Sequence, residues 1–592
     1  MLTTFARLPD ELVVCIFAYL TGPNIKLSRS VCRRFANVVD LSPMLQFFIE
    51  LDYAGYAEAS NPRSDLSFEE KCSLLRLHNT RIRNHTFTKV DRLKLGVLGG
   101  GFPTEDEMLT SALSPSLKDG ILTQWSSVLP HSYMPLQLDV AQLPSLNTGI
   151  SAVTQWRMTE HNLHVCEYDV EPACDLLVLL ERVSLSPGAT NIVDQDVSKY
   201  RIHFRTLSTN SAHPDAVAGY LPYESRTAST WRFAIQCLGD VVVAYPPCNH
   251  TNEPVETGLV MYNWTTGALL DMGNRAFVRY LLVVSKEVVV ATRSTFTYGS
   301  QECPMGYLDI YSVNWVGSPS MDLVASLELP TIHSVPAPTP GFHGLTNDSN
   351  AFHFHLAASI GSHSSSVSAY TRGLPRIFEP AKSNQVLGLR IILPIGRVNT
   401  PRDLSPDMGH LYIPVDIVYE TLKSCRLSSL SNQTIEPISW QWWGPRTRWI
   451  HGPLSEVANQ LGNQLPGSRC MLFSRARTFS QTRLYVLDFN PHFLKSIKHH
   501  GLQSGQKITD PSAAPTGWIY QPAEANDVTP ARFNVGSHIW LSDSYADRAV
   551  APYAWSSILN QDLYHAMHEG NCMILLDAEH IVIVGGDPPT EV

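Results

Sequence analysis

The sequence predicts an α+β multidomain chain in which a small helical module and a helical connector precede a large all-β body. Three observations carry that expectation. The 592 residues exceed a single compact core at about 100–200 residues per domain. Only 17% are Asp, Glu, Lys or Arg while 44% are apolar, against about 25% charged in ordinary globular proteins. The difference is filled in part by 40 Pro and 35 Gly, the punctuation of short strands and tight turns. Charge is also unevenly placed: residues 1–100 carry 13 basic and 10 acidic side chains, and the other 492 carry 31 and 44. The start is net +3 and the remainder net −13, so the two portions differ in kind.

Leu8-Pro9-Asp10-Glu11-Leu12 opens the first helix. Pro in the first turn sacrifices no intrahelical hydrogen bond, and the two acids sit where the helix dipole favours negative charge. The helix is expected to run to about Leu20, with Leu8, Leu12, Ile16 and Leu20 along one side and Val13 and Phe17 about 100° round from them. Thr21-Gly22-Pro23 ends it. A second short helix carries Ile25 and Leu27. A third, from about Ser30 to Asp40, carries Val31, Phe35 and Val38 with Arg33 and Arg34 outward. Forty residues cannot bury two faces of their own first helix, so one face is left either for the rest of the chain or for a partner.

The order Leu8-Pro9-x-Glu11-Leu12, Ile16-Phe17, Leu20, then Leu27-Ser28-Arg29-Ser30-Val31-Cys32-Arg33-Arg34-Phe35 resembles the F-box over residues 5–45, with Phe35 standing where many F-boxes have Trp. The resemblance implies a substrate-receptor subunit of an SCF-type cullin-RING ubiquitin ligase. It would bind the SKP adaptor, and through it a cullin and a RING subunit, and leave transfer chemistry to those partners. It further implies that Leu8, Pro9, Leu12, Ile16 and Leu20 face the adaptor, and that Phe17, Leu27, Val31 and Phe35 pack inside the module. Insertion of an amphipathic helix into an apolar groove is a general mode of affinity.

Residues 46–130 read as a connector. Met44–Leu51 is helical by pattern, and Ser67-Phe68-Glu69-Glu70 is a capping box opening a helix with Cys72, Leu74, Leu75 and Ile82 spaced for burial. Residues 59–65 and 96–120 read as loops. Gly99-Gly100-Gly101 lacks the Lys-Ser/Thr of a phosphate cradle.

From about 131 to 592 the texture is short β runs between Gly, Pro, Asn and Ser. Leu176–Leu180 is continuously apolar, Arg201–Leu207 alternates, and Leu281–Ala291 is a strand pair broken at Ser285-Lys286-Glu287. Strands starting near 201, 259, 307, 366 and 484 recur at gaps of 58, 48, 59 and 118, the last taken as two units. A loose repeat of roughly 50–60 residues suggests a propeller-like domain of six to eight blades, with two tandem β-sandwiches as the other architecture that spaces strands evenly. No Gly-His…Trp-Asp signature occurs. Cys572–Leu576 and Ile581–Val584 form a final hairpin, expected to close the body by pairing near 153–168.

The net charge of −10 and a pI near 6.1, without a basic stripe, argue against nucleic acid. No run of about 18 apolar residues predicts a membrane span, and the first 30 residues do not read as a secretory signal. Eleven scattered cysteines without a C-x-x-C pair suit reduced thiols. The expected setting is cytoplasmic, nuclear or both, and Asn-x-Ser/Thr triplets at Asn84, Asn249, Asn263, Asn347 and Asn432 are then chance matches. The histidine groups His161/His164, His353/His355, His499/His500 and His565/His568 lack a third ligand at recognisable spacing, and no hydrolase or phosphate-binding motif occurs. No catalytic residue, metal or cofactor is expected, which weighs against a propeller hydrolase. Trp440-Gln441-Trp442-Trp443-Gly444-Pro445-Arg446-Thr447-Arg448-Trp449 concentrates residue types enriched at binding hot spots. Trp443, Arg446, Arg448 and Trp449 are therefore candidate substrate contacts, with blade packing as the alternative. A non-catalytic propeller scaffold with no ubiquitin role is the second functional reading.

Overall fold

The computed structural model describes residues 8–83, 115–127, 136–160, 163, 165–183, 198–225, 234–245, 259–271, 278–294, 303–304, 306–334, 353–357, 374–392, 408–428, 435–450, 467–474, 483–492, 494, 519–521, 539–541, 553–558, 572–576 and 579–585. Helices come first: α1 (Asp10–Phe17), α2 (Gly22–Ser28), α3 (Arg33–Leu41) and α4 (Pro43–Ala54). A short strand β1 (Tyr56–Glu58) and α5 (Phe68–Arg83) complete the connector. The capping box forms as its sequence predicts. Ser67 donates its N–H and its hydroxyl to the Glu70 carboxylate at 2.8 Å each, and the Glu70 N–H returns to the Ser67 hydroxyl at 3.3 Å.

Six four-stranded antiparallel sheets follow among the described residues. Sheet I contains β2 (Ser116–Lys118), β3 (Ile121–Ser127), β4 (Leu136–Gln142) and β5 (Thr154–Glu160), and sheet II contains β6 (Val165–Glu171), β7 (Leu176–Arg182), β8 (Ser198–Thr206) and β9 (Tyr220–Ser225). Sheet III contains β10 (Ala234–Leu238), β11 (Val241–Tyr245), β12 (Val260–Asn263) and β13 (Ala268–Asp271). In sheet IV, β14 (Val278–Ser285), β15 (Val288–Ser294), β17 (Gly306–Asn314) and β18 (Ser320–Glu328) pair in that order. The interposed β16 (Cys303–Pro304) joins β19 (Thr331–Ser334) and β28 (Ile539–Leu541) in a smaller sheet. Sheet V runs β20 (His353–Ala357), β22 (Val386–Ile392), β23 (Met408–Pro414), β24 (Arg448–Ile450), while β21 (Phe378–Pro380) pairs with β1. Two helices, α6 (Val415–Ser428) and α7 (Trp440–Trp443), lie between β23 and β24. Sheet VI orders β25 (Arg469–Ser474), β26 (Arg483–Asp488), β29 (Tyr553–Ile558) and β27 (Ile519–Gln521), and β30 (Cys572–Leu576) pairs with β31 (Ile581–Gly585).

The continuous apolar runs have a packing cause. Leu177 and Leu179 of β7 face Leu138 and Val140 of sheet I, whereas Val178 and Leu180 face Val242 and Ala244 of sheet III. Val241 and Val243 in turn share a core with sheets IV and V. A strand buried on both faces has no polar side to alternate with. This packing differs from a pair of sandwiches, in which each sheet keeps one face in solvent. The first strands also meet in chain order: β6 contacts β10, β10 contacts β14, and β14 contacts β20. Lys118 on β2 reaches across three of these sheets, 3.1 Å from Glu171 on β6 and donating to the Cys237 carbonyl on β10 at 3.0 Å. Glu171 is fully buried, and burial raises its pKa while Lys118 opposes that rise. Lys118→Met is expected to destabilise the protein by about 3–5 kcal/mol by stranding that carboxyl. Urea denaturation of the full chain measures it, and an unchanged midpoint would refute the role given to the pair.

Repetition is visible at residue level in sheets III and IV. Trp264 follows β12 and donates its indole N–H to the Gly239 carbonyl (2.9 Å), and Trp315 follows β17 and donates to the Lys286 carbonyl (2.8 Å). Each indole thereby ties the end of a third strand to the turn between the first two. The strands expected near 201, 259 and 307 are indeed the third strands of sheets II, III and IV.

Several expectations are corrected. The 96–120 loop is wrong at its end, because β2 begins the β region at Ser116 and Asp119-Gly120 form its hairpin turn. The all-β body therefore begins before 131. Strand 366–373 lies outside the described residues. The even pitch fails beyond sheet IV: the third strands of sheets IV and V begin at 306 and 408, because β19 and β21, which pair outside these two sheets, intervene. The strand near 484 is the second of its sheet. The final hairpin pairs with itself alone among the described strands. It reaches back through β30, which lies beside β2, and through its turn, which meets residues 144–147 instead of 153–168.

Candidate functional site: the N-terminal helical module

The core of the module is small: Val13 and Phe17 of α1, Ile25 of α2, Val38 and Val39 of α3, and Leu45 of α4. Val13 and Phe17 are one helical turn apart, which puts them on one face. Leu12 and Ile16 consequently face away, at 49% and 39% exposure. Phe35 is half-buried and meets Phe17 edge-on, with ring centroids 5.1 Å apart. The helices are pinned by polar contacts. Arg34 bridges back to Asp10 at 2.7 Å and donates to the Leu8 carbonyl, and Arg29 pairs with Asp40 at 2.9 Å. Arg34 is thus a tie between α1 and α3, not simply an outward charge. The Cys32 sulfur and the Ser42 hydroxyl accept from N–H groups in the first turns of α3 and α4. At Gly22 a Cβ would fall 2.7 Å from the Asp52 Cβ and 3.2 Å from the Ile49 Cα, so α2 crosses α4 where only glycine fits.

The predicted adaptor-facing residues form an accessible set: Leu8 is half-buried, and Pro9, Leu12, Ile16 and Leu20 are exposed. The first helix ends at Phe17, short of Leu20. Of the predicted internal residues, Phe17 is buried and Phe35 packs beside it, but Leu27 and Val31 are 65% and 64% exposed. In the seven-residue α2, Ile25 takes the inward position, and two residues further on Leu27 points nearly opposite. Val31 lies in the turn before the extended Cys32 that caps α3. Tyr19 and Leu41 are also strongly exposed. The module therefore presents more apolar side chains to solvent than the motif alone assigns.

The tryptophan-rich segment behaves differently. Ser439 caps α7, and the helical spacing puts Trp440 and Trp443 together in the core, centroids 4.6 Å apart, with Trp442 exposed. The Trp443 indole donates to the Glu328 carbonyl of β18 at 3.1 Å, joining this insertion to sheet IV. Trp443 and Arg448 are buried, which corrects their assignment as direct substrate contacts. Arg446 is held by Asp416 (2.8 Å) and Glu420 (2.5 Å) of α6. Trp449 sits on β24 opposite Leu411. His353 and His355 lie on β20 opposite Ile392 and Arg390, and the other histidine groups fall outside the described residues. Among the described residues no three His, Cys, Asp or Glu side chains gather as a metal site, and no helix is long and apolar enough to cross a membrane. No disulfide joins Cys15, Cys32, Cys72, Cys166, Cys174, Cys237 or Cys425.

The F-box domain family model matches residues 5–46, the span of α1 to α3 with the first residues of α4. The chain carries an F-box domain. No curated protein matches it. F-box domains bind the SKP adaptor within SCF complexes, which supports an SCF-type adaptor-binding subunit here. F-box proteins are in general non-catalytic adaptors.

Proposed function

We propose that this F-box protein is a substrate receptor of an SCF-type ubiquitin ligase, acting in the cytoplasm, the nucleus or both. Residues 5–45 hold the SKP adaptor, and through it the cullin and RING subunits. Leu8, Pro9, Leu12, Ile16 and Leu20 supply the apolar contact, with Tyr19, Leu27, Val31 and Leu41 beside them. The β region, from Ser116 onward, selects a protein substrate. Its six sheets are read as propeller blades, a reading supported by first strands that touch in chain order and by sheets buried on both faces. The observation that carries the functional reading is the matched F-box whose core is closed while Leu12, Ile16 and Leu20 stay in solvent. Affinity purification of the full chain, with proteasome activity blocked, should recover the SKP adaptor, a cullin and ubiquitinated client protein together. Recovery of the adaptor without any cullin would favour the scaffold reading instead.

A further inference from the structure

The C-terminal hairpin meets helix α5 and the turn at 144–147 in a buried polar joint. Glu579, in the turn between β30 and β31, accepts hydrogen bonds from the Ser145 hydroxyl and from the N–H groups of Leu146 (3.0 Å) and Asn147 (3.2 Å). The same carboxylate lies 3.7 Å from Nδ1 of His78, a 3% exposed side chain on α5. The other ring nitrogen of His78 is 3.0 Å from the Tyr56 hydroxyl on β1. Arg469 of sheet VI donates to that hydroxyl (3.3 Å) and pairs with Asp488 at 2.9 Å. His580, next to Glu579, contacts the Pro144 carbonyl at 2.6 Å.

We infer that Glu579 and His78 form a latch through which the C-terminal hairpin, once seated on the turn at 144–147, fixes helix α5 and with it the placement of the F-box helices. Each half is incomplete alone. Without the hairpin, the buried His78 ring loses the carboxylate beside its Nδ1, and without α5 the carboxylate loses that imidazole. Burial works against a charged Glu579, yet His78, the Ser145 hydroxyl and His580 together hold its carboxyl below its ordinary value, so it stays ionised near neutral pH. Charge-assisted contacts of this kind are stronger than neutral ones. The inference holds whether or not the β region selects a ubiquitination substrate, since it concerns the joint alone.

Hydrogen exchange on the full chain bound to the SKP adaptor tests it. Glu579→Ala is expected to speed exchange of the α5 amides about tenfold, as local opening gains one lost charge-assisted contact, while α1 to α3 keep their protection. His78→Ala should in turn speed exchange at 145–147. Faster exchange confined to 145–147 and the hairpin in Glu579→Ala, with α5 unchanged, would overturn the latch. Glu579→Gln, which keeps the side chain's shape, decides the matter if the alanine variant does not fold: faster α5 exchange supports the latch and wild-type exchange refutes it. In the double variant the effects should be less than additive, and full additivity would also refute it.

Discussion

Leu12→Asp is expected to weaken binding of the full chain to the SKP adaptor by at least about 100-fold, because the carboxylate must be desolvated against an apolar groove. The same change should leave the melting temperature near that of the wild type, since Leu12 is half-exposed and lies outside the cluster that Val13 and Phe17 form. Val13→Asp is the informative contrast. Val13 is fully buried, so a charge there is expected to unfold the module and lose binding indirectly. Leu12→Met should bind normally. Isothermal titration with purified adaptor, beside thermal melts of each variant, separates loss of surface from loss of fold. Undiminished binding by Leu12→Asp would remove this face of α1 from the adaptor site.

What could be read in the sequence depended on how local the signal was. The F-box was legible because its motif is contiguous and ordered, and the capping box at Ser67 because both partners lie within one turn. Which way Leu27 and Val31 point was not, since a seven-residue helix followed by an extended residue sets its own phase. Asp119-Gly120 is a strong hairpin signal, both residues having positive φ. It was absorbed into the Gly- and Pro-rich stretch before it. The Trp440 segment stands out in the sequence by its composition, whereas its helical start is signalled by Ser439, a helix-cap residue. The residues of the latch carried no signal at all: His78 and Glu579 are ordinary in their local sequences and become partners across about five hundred positions.

The connector is expected to be part of the folding unit of the β body, so a fragment starting at 131 should fail to fold where one starting at 43 succeeds. Phe47, Leu51 and Ala54 of α4, Tyr56 of β1, and Cys72 and Leu75 of α5 form one cluster with Ile377 and Phe378 of the body. Backbone contacts reinforce it: β1 pairs with β21 from Tyr56 to Glu58, and the Ala381 N–H donates to the Gly55 carbonyl at 3.0 Å. Asn490 donates to the Tyr53 carbonyl at 3.2 Å. A fully buried Leu or Phe contributes about 1.5–3 kcal/mol, whereas a whole domain is stable by only about 5–15 kcal/mol. Losing several such side chains at once therefore consumes most of the available stability. A start at 131 also deletes β2 and β3, leaving the β4 edge unpaired and removing Lys118 from beside Glu171. A start at 43 uncovers chiefly Leu45, whose remaining core partners lie in α1 to α3. Fragments 43–592, 115–592 and 131–592 should accordingly show a cooperative melt close to the full chain, a melt lowered by many degrees, and no cooperative melt. A cooperative, wild-type-like transition in 131–592 would show instead that α4 and α5 only rest on the body, and that the F-box could be repositioned without cost to the fold that carries it.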